Sequence, residues 1–138
     1  MAQEHAIVLT CCDPRLHRGI HDIEAHIQMP AFELRKPGPD HFLLFGSESA
    51  RKSFREDCED LIELAEIAMI VDVSHGDCKK HPVSDGVHRE HTRQTVEIIH
   101  GWNLVPEVRG LFQFNAADTG WPIEDIICLS RPRVYAVA

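Results

Sequence analysis

Two nearly continuous apolar runs are the clearest pattern along the chain, at residues 6–10 and 68–73. Parallel strands that are covered on both faces have this pattern, so we predict a buried β-strand at each run. A third, shorter strand is predicted at residues 32–34, and the Pro37-Gly38-Pro39 segment ends it. A fourth is predicted at residues 108–114.

Apolar residues at helical spacing separate these strands. The spacing predicts helices at residues 18–28, 48–66, 85–102 and 122–129. The second is the longest, and Ser47 is its predicted N-cap. Its predicted buried stripe is Ala50, Phe54, Cys58, Leu61 and Ala65. In the third helix the predicted inward residues are Val87, Val96, Ile99 and Trp102. Strands that alternate with helices predict an α/β fold, with a mostly parallel central sheet flanked by helices and residues 1–138 in a single domain.

Composition narrows the class of protein. The chain of 138 residues is 43% apolar and 26% charged, which is ordinary for a globular protein. Its formal net charge of -8 argues against nucleic acid as a partner. No apolar run is long enough for a membrane span, and no signal-peptide pattern opens the chain. Five cysteines, an odd number, favour a reducing compartment, so we expect a cytoplasmic protein.

Two short clusters of metal-binding residues follow the two buried strands. The first is Cys11-Cys12-Asp13-Pro14-Arg15, and the second is His75-Gly76-Asp77-Cys78. Sites in α/β sheets form at the carboxyl ends of the strands, so the clusters meet if their strands are neighbours. Two thiolates and an imidazole, from Cys11, His75 and Cys78, suit zinc. Three protein ligands leave a fourth position for water or a mobile carboxylate, as in a catalytic zinc site.

Several cysteines and histidines have competing interpretations. Cys12 is the alternative first ligand, because neighbouring side chains of a strand point in opposite directions and only one of Cys11 and Cys12 can face the metal. Cys58 and Cys128 are predicted to be core residues. His88 and His91 are three apart on a predicted helix. They offer a second metal site, although a solvated helix face is the prediction. The remaining histidines, His81 among them, are expected at the surface or as proton shuttles. Trp102 and Trp121 are expected in the core or at an interface.

In this order and at these distances, the motifs resemble those of the β-class carbonic anhydrases. That family's Cys-x-Asp-Ser-Arg motif is matched by Cys11, Asp13 and Arg15. Its Arg-Asn-Ala-Gly motif is matched in part by Arg35 and Gly38. His75 and Cys78 match its His-x-x-Cys-Gly motif. The late part of the chain resembles the family at Val108-Arg109-Gly110-Leu111 and Thr119-Gly120. The departures are Pro14 for Ser, Lys36-Pro37 for Asn-Ala and Lys79 for Gly.

The resemblance implies a zinc enzyme that hydrates carbon dioxide reversibly to bicarbonate. It implies catalytic roles for Asp13 and Arg15. Asp13 would hydrogen-bond the reacting water, or swing onto the zinc as a fourth ligand, and Arg15 would hold Asp13 in place. Two alternatives are hydrolysis of a carbon dioxide analogue, carbonyl sulfide or carbon disulfide, and non-catalytic zinc binding.

The resemblance also implies a homodimer or higher homo-oligomer. The predicted apolar contact surface consists of Phe112, Phe114 and Trp121.

Overall fold

A computed structural model describes residues 3–13, 19–114 and 120–132. Their strands are β1 (His5–Thr10), β2 (Ala31–Arg35), β3 (Ile67–His75), β4 (Glu107–Gln113) and β5 (Ile123–Ser130). Their helices are α1 (Gly19–Ile27), α2 (Pro39–Phe45), α3 (Glu48–Leu64) and α4 (Asp85–Gly101). The strands form one sheet in the order β2-β1-β3-β4-β5. β1 pairs in parallel with β2 and β3, and β3 pairs in parallel with β4, whereas β4 and β5 are antiparallel. The predicted α/β fold with a mostly parallel central sheet is confirmed.

Alternation along the strands divides the core into two layers. Ile7 and Leu9 of β1 pack on one face with residues of α2, α3 and α4. Ala6 and Val8 pack on the other face with Ile23 and Ile27 of α1. All four β1 side chains are fully buried, as expected for a central parallel strand with helices on both faces.

The predicted helix at residues 122–129 is wrong, because this segment is the antiparallel strand β5. Its register shifts between Gly110 and Leu111 of β4, which pair with Ile127 and Asp125. One extra residue, Ile126, therefore lies in β5 as a bulge and reverses the faces of the residues that follow. Ile123 packs on the α1 side and Ile127 on the opposite side. The bulge leaves the isoleucines at a spacing that is typical of a helix.

The other helices agree with their predictions except at single positions. Ser47 and Ser84 cap α3 and α4, and each side chain accepts a hydrogen bond from a backbone N–H of the first turn. Val87 was predicted to point inward but is 39% exposed. The short helix α2 was not predicted, although a proline in its first turn is a known start signal.

The observed burial of two residues, Cys128 and Phe112, corrects the predictions made for them. Cys58 is fully buried in α3, as predicted, whereas Cys128 of β5 is exposed. Phe112 of β4 is fully buried and cannot belong to a contact surface, while Phe114 is half-buried.

No helix in the described ranges has the length and apolar character that a membrane span requires.

Candidate metal centre

Parallel pairing of β1 with β3 brings the two predicted clusters to the same edge of the sheet. Cys11 directly follows β1, His75 ends β3, and Cys78 lies in the turn after β3. One donor atom from each of these three side chains lies within 4.8 Å of the other two. All three are buried, with exposures of 5%, 1% and 3%. Cys12, the rival ligand, is exposed.

The imidazole of His75 is held with one nitrogen available. Its Nδ1 donates a hydrogen bond to the carbonyl oxygen of Gly76 at 2.7 Å, which assigns the proton to Nδ1. Its Nε2 is buried and has no hydrogen-bond partner among the described residues. A backbone carbonyl on the far nitrogen is the arrangement that orients metal-binding histidines in proteins. The orphaned Nε2 therefore fits a metal ligand.

Two turns of unusual backbone shape the site. Asp77 has a φ of 54°, a left-handed conformation that aspartate tolerates better than most residues. It lies between His75 and Cys78 and folds the chain back at this edge. Gly38 has a φ of 59°, and a Cβ there would lie 3.2 Å from the Cβ of His41 and 3.3 Å from Lys80 Cγ. Gly38 therefore lets the segment after β2 approach the two cysteines.

The cysteine pair favours one thiolate in the absence of a cation. A hydrogen bond from Cys78 lowers the pKa of Cys11, against the effect of burial, and backbone groups of Gly38 and Asp13 lower it further. The same hydrogen bond and burial raise the pKa of Cys78. Burial lowers the pKa of His75, but attraction to Cys11 outweighs it and the net shift is upward. A divalent cation would replace the shared proton, because metal binding requires both thiolates.

The ring of Trp121 covers one side of the centre. It meets the His75 ring edge-on with 5.6 Å between centroids, and it packs against Cys11 and Cys78. The buried Gln113 donates a hydrogen bond to the carbonyl oxygen of Trp121 at 3.4 Å. Trp121 was expected in the core or at an interface, and it is half-buried at the site.

A cavity of about 360 Å³ opens onto the cysteines. Its lining is Cys11, Cys12, Asp13, Pro37, Cys78, Lys79 and Lys80. Asp13 thus lines the same cavity as the two proposed cysteine ligands, on the segment that leaves β1. Two lysines give the mouth a positive charge suited to an anion. Pro14, Arg15 and Thr119 lie outside the described residues, so the predicted Asp13–Arg15 pair stays a prediction.

The histidine predictions need correction. His81 and His88 were expected at the surface, but they are buried and cluster with Asp40 of α2. Asp40 was not predicted as a functional residue. The proline that starts α2 is the signal that would have placed Asp40 in the first turn of a helix.

Comparisons with known proteins agree with this architecture. No curated protein matches the chain. The structure resembles beta-carbonic anhydrase isoform I from Trichomonas vaginalis, with a TM-score of 0.60 and 17% identity, over 91% of this chain and 84% of that one. It also resembles a carbonic anhydrase from Glaciozyma antarctica, with a TM-score of 0.55 and 16% identity, over 88% of this chain and 81% of that one. At these identities the likeness shows the fold. A family model described as "Putative carbonic anhydrase" matches residues 1–126, and the chain therefore belongs to that family.

Proposed function

We propose that this protein hydrates carbon dioxide reversibly to bicarbonate, with one zinc ion held by Cys11, His75 and Cys78. The observation that carries the proposal is the convergence of these three buried donors, two of which, Cys11 and Cys78, line a cavity with Asp13. Membership of the carbonic anhydrase family supports the same reaction.

The ligand types agree with zinc. Thiolate and imidazole together suit this ion, whereas Mg²⁺ and Ca²⁺ prefer oxygen. Zinc supplies one element of the chemistry when bound, since it lowers the pKa of a coordinated water to about 7. The backbone carbonyl of Gly76 orients His75, and Trp121 shields one side of the ligand set.

Asp13 and the lysines have the remaining roles in the proposal. A carboxylate at the position of Asp13 can accept a hydrogen bond from the reacting water and orient its lone pair towards carbon dioxide. Lys79 and Lys80 line the same cavity and would attract the bicarbonate anion. Arg15 is proposed to hold the Asp13 carboxylate in place by a paired hydrogen bond.

The test combines elemental analysis with stopped-flow measurement of carbon dioxide hydration. Wild-type protein should contain zinc and be active. The Asp13→Asn variant should retain zinc but lose activity by about a hundredfold or more, the usual range for a residue that handles a proton or positions a water. The control is Asp60→Asn, which changes an exposed carboxylate of α3 and should leave activity unchanged.

Three results would contradict the proposal or redirect it. Zinc-loaded wild-type protein with no hydration activity would indicate a non-catalytic zinc protein, and Lys79→Gly would then test whether that lysine blocks the cavity. Release of sulfide from carbonyl sulfide without carbon dioxide hydration would favour the hydrolase alternative. Full activity in Asp13→Asn would remove Asp13 from the mechanism.

A further inference from the structure

A second buried group of metal-binding side chains lies on the opposite face of the sheet from α1. Asp40 belongs to the first turn of α2, His81 to the segment after β3, and His88 to α4. Their exposures are 1%, 6% and 0%, and one donor atom of each lies within 4.8 Å of the others. These residues are distinct from Cys11, His75 and Cys78.

Two donor pairs of the group are at hydrogen-bond distance and a third pair is farther apart, so the distances lie on either side of the separation between ligands of one ion. His88 Nδ1 lies 2.8 Å from Asp40 Oδ2, and His81 Nε2 lies 3.8 Å from the same oxygen. Ligands of a tetrahedral zinc with bonds near 2.1 Å are separated by about 3.4 Å, between these two values. His91 Nδ1 lies 2.7 Å from His81 Nε2, so a fourth nitrogen is present at the half-buried edge of the group.

Two buried aspartates of this region have carboxyl oxygens without hydrogen-bond partners among the described residues. Asp40 Oδ1 has no hydrogen-bond partner among the described residues, and neither carboxylate oxygen of Asp72 has one. Both aspartates are almost fully buried, and within the described ranges the basic side chains within 4 Å of Asp40 are His81 and His88, which carry a charge only when protonated. A buried carboxylate costs free energy unless positive charge offsets it, and a divalent ion bound to Asp40 would supply that charge without protonation of the two histidines.

We propose that Asp40, His81 and His88 bind a second zinc ion, with His91 as the fourth ligand. Three imidazoles and one carboxylate suit zinc better than Mg²⁺ or Ca²⁺, which prefer all-oxygen sites. Four protein ligands complete a tetrahedral site, which is the arrangement of structural rather than catalytic zinc.

The position of the group indicates its role. The ion would join three separate parts of the chain, which are α2, the segment after β3, and α4. Backbone groups near the same ligands also serve the first centre, since Gly38 hydrogen-bonds to Cys11, and Lys80 and His81 hydrogen-bond to Cys78. The second zinc would therefore stabilise the two segments that shape the cavity.

Zinc content of untagged protein tests the proposal directly. Wild-type protein should contain two zinc ions per chain. His88→Asn and Cys78→Ser should each contain one, because they empty different sites, and the double variant should contain none. His100→Asn is the matched control, since it makes the same change in the last turn of α4 and should retain two ions. A His88→Asn protein that retains both ions would overturn the proposal.

Cobalt-substituted protein gives a second, spectroscopic readout, beginning with the wild-type protein. Thiolate ligands give cobalt an intense charge-transfer band, whereas nitrogen and oxygen ligands leave only weak visible bands. We expect two cobalt ions per chain, with a charge-transfer intensity that corresponds to one thiolate site. His81→Gln, which removes one of the four proposed ligands, should lose one ion and retain the charge-transfer band. One cobalt ion per chain with the full band would show that Asp40, His81 and His88 form a metal-free hydrogen-bonded network. The ion count does not depend on hydration activity. This experiment therefore tests the second zinc site even if the protein does not hydrate carbon dioxide.

Discussion

Adjacent cysteines show how a single side chain decides the proposed zinc site. Cys11 is buried beside His75 and Cys78, whereas Cys12 is exposed, because neighbouring residues of an extended chain point in opposite directions. We expect Cys11→Ser to lose the zinc of the first centre and Cys12→Ser to retain it. Elemental analysis of the two proteins makes the comparison.

Controls for this pair come from elsewhere in the chain. Cys58→Ser should retain zinc, because Cys58 is buried in α3 and belongs to the hydrophobic core. Loss of zinc from Cys11→Ser should also lower the melting temperature, since metal binding is coupled to folding. A Cys11→Ser protein that retains the metal of the first centre would point to Cys12 or to another site.

Asp72 predicts a pH dependence of stability that is separate from the cysteines. It is fully buried in β3, and burial, followed by the nearby Asp40, raises its pKa well above the usual value. In the unfolded chain it ionises near its usual pKa of about 3.9, so between that pH and the raised pKa the folded state binds more protons. The free energy of unfolding therefore falls as pH rises through this window, by at most about 1.4 kcal/mol per pH unit.

Asp72→Asn should remove this contribution. Urea unfolding from about pH 4 to about pH 7 should show a shallower fall in the free energy of unfolding than the wild-type protein shows. Asp60→Asn on α3 changes an exposed carboxylate and should leave the slope as it is. An unchanged slope in Asp72→Asn would mean that Asp72 ionises in the folded protein.

Close packing of α4 on β4 depends on one residue without a side chain. A Cβ at Gly110 would lie 2.6 Å from Thr92 Cγ2 and 2.9 Å from Val96 Cγ2, both on α4. Gly110→Ala should therefore force the helix away from the sheet and lower the free energy of unfolding by about 1–3 kcal/mol, as overpacking does. Chemical denaturation measures the change.

Gly86→Ala is the matched control for that helix. It lies in the first turn of α4, and no atom is within 4 Å of an added Cβ. Alanine favours the helix over glycine by about 0.5–1 kcal/mol, so this variant should be as stable as wild type or slightly more stable. Equal stability of Gly110→Ala and Gly86→Ala would show that α4 does not pack as closely as described.

The complete site gives a prediction for the pH profile of activity. Two thiolates donate more charge to a zinc ion than neutral imidazoles do, so the proposed ligand set makes water less acidic than a three-histidine set. Carbon dioxide hydration should therefore increase from about pH 7 to about pH 9. Stopped-flow rates across this range test it, and a profile that is flat or falls with pH would contradict the proposed ligand set.

Assembly of the whole molecule stays a prediction. The resemblance to β-class carbonic anhydrases implies a dimer or larger oligomer, and the half-buried Phe114 and Trp121 remain from the predicted contact surface once the buried Phe112 is removed. Light scattering at micromolar concentration should give at least twice the monomer mass of 15.7 kDa. A monomer mass at that concentration would be evidence against assembly through this surface.

Local patterns were sufficient for most elements and for the grouping of Cys11, His75 and Cys78. The apolar runs that became β1 and β3 need only short segments of chain to be recognised, because strands buried on both faces have no polar positions. The clusters at Cys11 and His75 follow those runs directly, and parallel strands place their carboxyl ends at one edge. Strand pairing was the one assumption needed to bring the donors together.

Long-range contacts decided the features that periodicity cannot show. Residues 122–129 have helical spacing, but pairing with β4 and the bulge at Ile126 make them a strand. Asp40 and His88 are 48 residues apart along the chain. The sequence around each residue gives no sign that their side chains lie 2.8 Å apart. A periodic pattern reports which face of one element is apolar, whereas burial of a polar residue depends on which other element covers it. The sequence offered His88 and His91 as an alternative metal pair, but only the folded protein shows that Asp40 and His81 lie beside His88.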